Sequence, residues 1–144
     1  GIMQMPCPEA LYMGNQRWWN SRNLYDNVGY RRFCREIAAR EVDYIANYYI
    51  MGYTVVGILS CDGSPTCGIT LSSYCEDWGG RPKEIPRVLV ERPGVYIEEL
   101  KKEFEERKLE MPPLICLCMD DRDRSNQQCL EELKATLESI MQKQ

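Results

Sequence analysis

An apolar run followed at once by a glycine-bounded loop limits what this chain can fold into. Residues 55–59, Val-Val-Gly-Ile-Leu, have the length and β-branched content of a strand buried on both faces. The next residues, 61–68, read Cys-Asp-Gly-Ser-Pro-Thr-Cys-Gly and are typical of a turn. Open α/β sheets bind ligands at the carboxyl ends of their strands. We therefore predict that loop 61–68, with two thiols and a hydroxyl, is the centre of an active site.

The hydrophobic pattern predicts one α/β domain over residues 1–144, with three layers and a small, mainly parallel sheet joined by right-handed crossovers. Strands are predicted at 1–5, 54–60 and 114–119. Helices are predicted from 30 to just before Gly52, at 95–108, and after an N-cap at Ser125. Between them lie an irregular or short helical segment at 10–27 and a flap at 69–93, which contains strand pieces at 69–71 and 88–90. Three parallel strands are few for such a sheet. A leading strand and helix are expected to be missing, or a partner, as in a homodimer, adds a strand.

Side-chain spacing adds expectations about burial. In the first long helix, Cys34 and Tyr48 fall in the apolar stripe, which predicts that Cys34 is a core thiol. The charged run at 98–108 predicts a solvated face with Leu100 and Phe104 inside. Cys75 is expected to be exposed in the flap. The inward residues of the last helix are predicted to be Leu130, Leu133, Leu137 and Ile140.

Composition excludes several classes of function. The formal net charge is −4 and no block of Lys and Arg stands alone, so nothing indicates binding to a nucleic-acid polymer. No apolar run reaches the roughly 20 residues of a membrane span. We therefore predict a cytoplasmic protein that does not bind membranes.

The chain has 8 cysteines and no histidine, which excludes Ser–His and Cys–His catalytic pairs and mixed Cys/His zinc sites within it. A disulfide framework is one explanation of the cysteines, although no secretory signal opens the chain. A Cys₄ zinc site is a second, although C-x₂-C pairs are lacking. Buried free thiols and thiolate ligands of a soft metal, such as iron–sulfur, are the others.

Two short motifs lie at predicted strand ends. Cys7 and Glu9, in Met-Pro-Cys-Pro-Glu, follow the first strand, and Ser64 and Cys67 follow the second. If the two strands are parallel neighbours, all four side chains open on one edge of the sheet. The simpler interpretations are that Glu9 is a helix-start or turn carboxylate and that Ser64 satisfies its own loop.

Both motifs, together with Gly94-Val-Tyr-Ile-Glu-Glu-Leu after a proline, resemble the thiouracil desulfurase-like family, over residues 1 to about 119. The resemblance implies a Rossmann-like fold and a [4Fe-4S] cluster held by three cysteines. It implies that Cys7 and Cys67 are the second and third ligands, that Glu9 is the catalytic carboxylate and that Ser64 is the serine of the S-P-x-C-G loop. Thr66 stands where serine is usual.

The resemblance also implies a reaction. The sulfur of a thiolated pyrimidine binds the open iron and leaves as sulfide while water replaces it at carbon. The sequence departs from the family at the first cluster ligand, which lies in a segment that would precede residue 1. Cys61 is the nearest alternative, but its place at a strand end is typical of a packed thiol.

Two other functions remain open from the sequence. One is cofactor-free cleavage of a nucleoside, with Glu9 as nucleophile and Trp18 or Trp19 stacking on the base. The other is a non-catalytic relative that binds a small ligand or a partner chain. The alternative explanation of Trp18 and Trp19 is structural: one indole ring packs in the core and the other lies at the surface.

Overall fold

A computed structural model describes residues 1–17, 20–76, 88–117 and 126–142, and it shows a mixed α/β chain. The helices are α1 (Pro8–Met13), α2 (Arg22–Tyr25), α3 (Val28–Ile50), α4 (Val95–Glu106) and α5 (Asn126–Gln142), with a 3-10 turn at Gly14–Gln16. The strands are β1 (Ile58–Ser60), β2 (Ser72–Tyr74), β3 (Val88–Val90) and β4 (Leu114–Cys116). The interpretations of Trp18, Trp19 and Ser125 fall outside the described residues.

The strands form two small sheets rather than one. β1 pairs with β4 in parallel, with Ile58 opposite Leu114, so the predicted parallel pairing of these two segments is confirmed. β2 and β3 pair antiparallel within the flap. The strand predicted at 69–71 is wrong in position, because β2 begins three residues later, where Ser72 faces Val90.

Two predictions about the parallel sheet are wrong. Residues 1–5 form no strand, because their backbone has no ladder partner among the described residues; Met5 instead packs against the core. β1 is not buried on both faces, since Ile58 is buried while Leu59 is 49% exposed. Among the described residues, β4 is the one strand that pairs with β1.

The core lies mainly between α3 and α4. Asn27 begins α3 by accepting a hydrogen bond from the Tyr30 N–H at 2.9 Å, and Gly52 follows its end with φ +78°, as predicted. Cys34, Leu100 and Phe104 are buried, which confirms these three expectations, whereas Tyr48 is exposed and its prediction is wrong. The cluster of buried core residues includes Tyr30, Cys34, Ile37, Ala38, Val42, Ile45, Val95, Tyr96, Ile97, Leu100 and Phe104.

Loop 61–68 provides the N-terminal cap of α4. The Thr66 carbonyl accepts hydrogen bonds from the N–H groups of Tyr96 (2.9 Å) and Ile97 (3.3 Å). The Gly68 carbonyl accepts one from Gly94 at 2.8 Å. The first N–H groups of a helix have no partner inside it, so these bonds satisfy donors that would otherwise be unpaired. The loop and the helix are therefore fixed to one another through their backbones.

An ion-pair network joins α2, α3 and α4. Arg31 binds Asp26 at 2.5 Å, Glu98 at 2.7 Å and Glu99 at 2.6 Å. Arg22, which is buried, binds Asp26 and Glu98. The predicted solvated face at 98–108 is wrong at Glu99, whose side chain is 0% exposed. A buried carboxylate needs partners, and cations from two helices supply them.

Two further expectations about burial are corrected. Cys75 is buried, because the turn after β2 packs beside α2, where the Asn23 side chain donates to the Cys75 carbonyl at 2.7 Å. In α5 the prediction is wrong at Leu130, which is 56% exposed, and the neighbouring Cys129 is buried instead. Leu133, Leu137 and Ile140 are partly buried. None of the helices in the described ranges has the length and apolar composition to cross a bilayer.

Gly94→Ala is expected to lower the free energy of unfolding by about 1–3 kcal/mol. A Cβ at residue 94 would stand 2.3 Å from the Thr66 carbonyl carbon and oxygen, so the loop and the helix would have to separate. Denaturant unfolding measures the loss. Gly29→Ala is the matched control, since its Cβ would meet no atom closer than 3.4 Å and alanine favours helix. Equal stabilities of the two variants would contradict the tight loop–helix contact.

Acidic pH should weaken the ion-pair network, because the Asp26 carboxylate becomes protonated. Hydrogen bonds from Arg31 and Arg22 hold the pKa of Asp26 at about 2, below its ordinary 3.8. Its contribution to stability, roughly 2 kcal/mol, is complete above a pH of about 4 and is lost as the pH falls to about 2. We expect Asp26→Asn to remove this part of the pH dependence of unfolding. Asp43→Asn, at an exposed pair with Arg107, should leave it unchanged.

Candidate functional site

Cys7, Pro8 and Glu9 form the beginning of α1. Cys7 is the N-cap residue, and its sulfur accepts a long contact from the Ala10 N–H at 3.5 Å. Pro8 occupies the first helical turn, where its missing N–H costs nothing, and Glu9 follows in the same turn. The motif therefore places an exposed thiol and a carboxylate at one end of a short helix.

Aromatic contacts attach α1 and α2 to the core. The Tyr12 ring packs on Tyr30 at 5.0 Å and on Phe33 at 5.2 Å between centroids. Tyr25 of α2 packs on the same Tyr30 at 4.6 Å. Aromatic pairs at such separations add stabilisation beyond the area they bury. These contacts hold Glu9 and Tyr25 on one side of α3.

Two side chains shape loop 61–68 from within. The Asp62 carboxylate accepts the N–H groups of Ile69 at 2.8 Å and Thr70 at 2.9 Å, and hydrogen bonds from Thr70 and its neighbours lower its pKa despite burial. The Ser64 hydroxyl accepts the Cys67 N–H at 3.0 Å. These bonds fold the loop back on itself, and the Ser60 hydroxyl at the end of β1 donates to the Cys67 carbonyl at 2.6 Å.

Glu9 is the point at which the two motifs meet. Its Oε1 accepts a hydrogen bond from the Thr66 hydroxyl at 2.6 Å and lies 3.5 Å from the Ser64 hydroxyl. Its Oε2 lies 3.4 Å from the Tyr25 hydroxyl. Three hydroxyl groups thus surround one carboxylate, and only the Thr66 bond is short.

Cys67 lies beside this carboxylate. Its sulfur is 3.5 Å from the Thr66 hydroxyl oxygen. Burial raises the pKa of the Cys67 thiol to about 12; the Thr66 hydrogen bond lowers it, and the charges of Glu9, Cys7 and Cys61 raise it further.

The structure brings the predicted residues Cys7, Glu9, Ser64 and Cys67 into one neighbourhood. Sequence reasoning missed Thr66, the closest hydroxyl to Glu9, although its position between Ser64 and Cys67 in a tight loop was a signal. It also missed Tyr25, which no short motif marks. Asp120 and Asp121, which also follow a predicted strand, fall outside the described residues.

The thiols of Cys7 and Cys67 suit iron, because thiolate is the soft ligand that iron–sulfur clusters take. They fit two of the three ligand positions that the family resemblance implies. Within the described residues, no group of three or more Cys, Asp or Glu side chains has a metal-binding arrangement, and Cys61 does not complete one. The donor set therefore fits a cluster at two positions.

Comparisons with known proteins place the chain near an archaeal relative. It is 32% identical over 69 residues to Uncharacterized protein MJ0003 of Methanocaldococcus jannaschii. That alignment covers 48% of this chain and 44% of the archaeal protein, less than half the length of either. No family model and no solved structure matches the chain.

Alkylation should distinguish the two site thiols. We expect iodoacetamide at pH 8 to modify Cys7 well before Cys67, because Cys7 is exposed while burial keeps Cys67 protonated. Mass spectrometry of proteolytic fragments measures the order, and the same reaction in denaturant provides the control in which all thiols react. Faster labelling of Cys67 than of Cys7 in the folded chain would contradict the site geometry.

Proposed function

We propose that this chain is an iron–sulfur-dependent desulfurase that removes sulfur from a thiolated nucleobase such as 2-thiouracil. The observation that carries the proposal is the contact of Glu9 and Cys67 with the same Thr66 hydroxyl, with Cys7 two residues before Glu9. A carboxylate suited to proton transfer thus lies near two thiols of the kind that bind a soft metal. The family resemblance of the same motifs supports it.

The proposed reaction is a hydrolysis without net oxidation or reduction. Water forms a carbon–oxygen bond, the carbon–sulfur bond breaks, and the products are the oxo base and hydrogen sulfide. The attacking water must lose protons and the departing sulfur must gain them. Glu9 accepts the two protons of the water one after the other and returns each of them to sulfur, which is general acid–base catalysis by a positioned carboxylate. Tyr25 and Thr66 keep the carboxylate oriented through this exchange.

The proposed cofactor is a [4Fe-4S] cluster with Cys7 and Cys67 as two of its three protein ligands. When bound, such a cluster supplies an iron without a protein ligand, a Lewis acid with affinity for sulfur. The chain's own contribution is to hold Cys7 and Glu9, at the beginning of α1, near Cys67 of loop 61–68. The backbone bonds between this loop and α4 keep that arrangement rigid.

Anaerobic reconstitution with iron and sulfide tests the proposal. We expect about four irons per chain, a brown colour, and conversion of 2-thiouracil to uracil with release of sulfide. Cys7→Ala and Cys67→Ala should each lose iron and activity. Cys129→Ala, which removes a buried thiol in α5, is the control and should retain both.

Replacing the proposed acid–base group separates an enzyme from a binding protein. Glu9→Gln should keep the iron and lower the rate of desulfuration about 100-fold or more. Glu76→Gln, at an exposed carboxylate, should have no effect. A chain that takes up no iron yet cleaves nucleosides in a Glu9-dependent manner would favour the cofactor-free enzyme. Binding of a base without any turnover would favour the non-catalytic relative.

A further inference from the structure

We propose that Thr66, rather than Ser64, is the residue that positions the Glu9 carboxylate for catalysis. This inference rests on the proposed function for its kinetic part and on the hydrogen bonds of the site for the rest. It assigns a role to a residue that the motif comparison named only as a departure from the family's usual serine.

The distances separate the two hydroxyls. The Thr66 oxygen lies 2.6 Å from Glu9 Oε1, within the range of a hydroxyl that donates to a carboxylate. The Ser64 oxygen lies 3.5 Å from the same atom, at the limit of a hydrogen bond. The Ser64 hydroxyl is instead engaged within its loop, where it accepts the Cys67 N–H at 3.0 Å.

The backbone of Thr66 is held from the opposite side. Its carbonyl accepts two N–H groups at the beginning of α4, from Tyr96 and Ile97, and the Gly94 backbone packs directly against it. The residue is 0% exposed, so water does not compete for its hydroxyl. A donor fixed in this way orients the carboxylate without reorganising during the reaction.

The geometry also selects one carboxylate oxygen for chemistry. Oε1 accepts the short hydrogen bond from the Thr66 hydroxyl at 2.6 Å, whereas the bond that Tyr25 donates to Oε2 is long, at 3.4 Å. Oε2 is therefore the atom that exchanges protons with substrate or water. Without Thr66 the carboxylate can rotate and present either oxygen.

The kinetic test compares three variants of the reconstituted protein. Thr66→Val, which keeps the shape of the side chain but removes the hydroxyl, should lower kcat about 10- to 100-fold with little change in KM. Thr66→Ser should recover most of the rate because it returns the donor. Thr136→Val, at an exposed hydroxyl in α5, is the matched control and should behave as wild type. Wild-type kcat in Thr66→Val, or no recovery in Thr66→Ser, would overturn the proposal.

A second measurement needs neither iron nor turnover. Proton NMR of the metal-free protein should show the Thr66 hydroxyl proton in slow exchange with water, because it is buried and bonded. Glu9→Ala should accelerate that exchange at least about tenfold, while Ser64→Ala should change it much less. Rapid exchange in wild type would refute the Thr66–Glu9 bond. If that bond is present but wild type does not desulfurise, the proposed function fails and the positioning of Glu9 by Thr66 stands.

Discussion

The backbone contact between loop 61–68 and α4 is the constraint on which the candidate site depends. Four N–H groups at the beginning of α4 donate to carbonyls of Pro65, Thr66 and Gly68. Such donors must find partners when buried, and here the partners belong to the same loop that carries Cys67. The position of the thiol is thus set both by α4 and by β1, whose Ser60 hydroxyl donates to the Cys67 carbonyl at 2.6 Å.

The helix that receives the loop is itself fixed by charge and by packing. Its apolar side joins the core against α3, while Glu98 and Glu99 bind arginines of α2 and α3. α2 contributes both Arg22 to this network and Tyr25 to the site. The same elements therefore contribute both to stability and to the geometry around Glu9.

Periodicity predicted the long helices well, because a helix needs only its own sequence to satisfy its backbone. A strand needs a neighbouring strand to satisfy its backbone, and the sequence does not say which segments become neighbours. For this reason the strand predicted at residues 1–5 is wrong, and β1 is less buried than expected. Charge patterns failed at Glu99 because a buried carboxylate and a solvated one have the same sequence signature until the facing arginines are known.

The candidate site shows the same difference between features that a local segment determines and features that depend on distant contacts. The motif residues Cys7, Glu9, Ser64 and Cys67 were identified from turn chemistry and resemblance, and the fold brings them together. Thr66 and Tyr25 were not, because their roles come from contacts across 57 and 16 positions of the chain. A motif marks residues that are special in their own segment, whereas these two matter only through what they approach.

The absence of space between Gly94 and Thr66 has an evolutionary consequence. Any side chain at residue 94 would push the loop off the helix, and a Cβ at Gly68 would come within 2.1 Å of the Leu71 carbonyl oxygen. Distant homologues that retain this architecture should therefore keep glycine at both positions even where Cys7, Glu9 and Cys67 have been replaced. The two glycines would then trace the ancestry of the scaffold, and the thiols and the carboxylate would trace its chemistry.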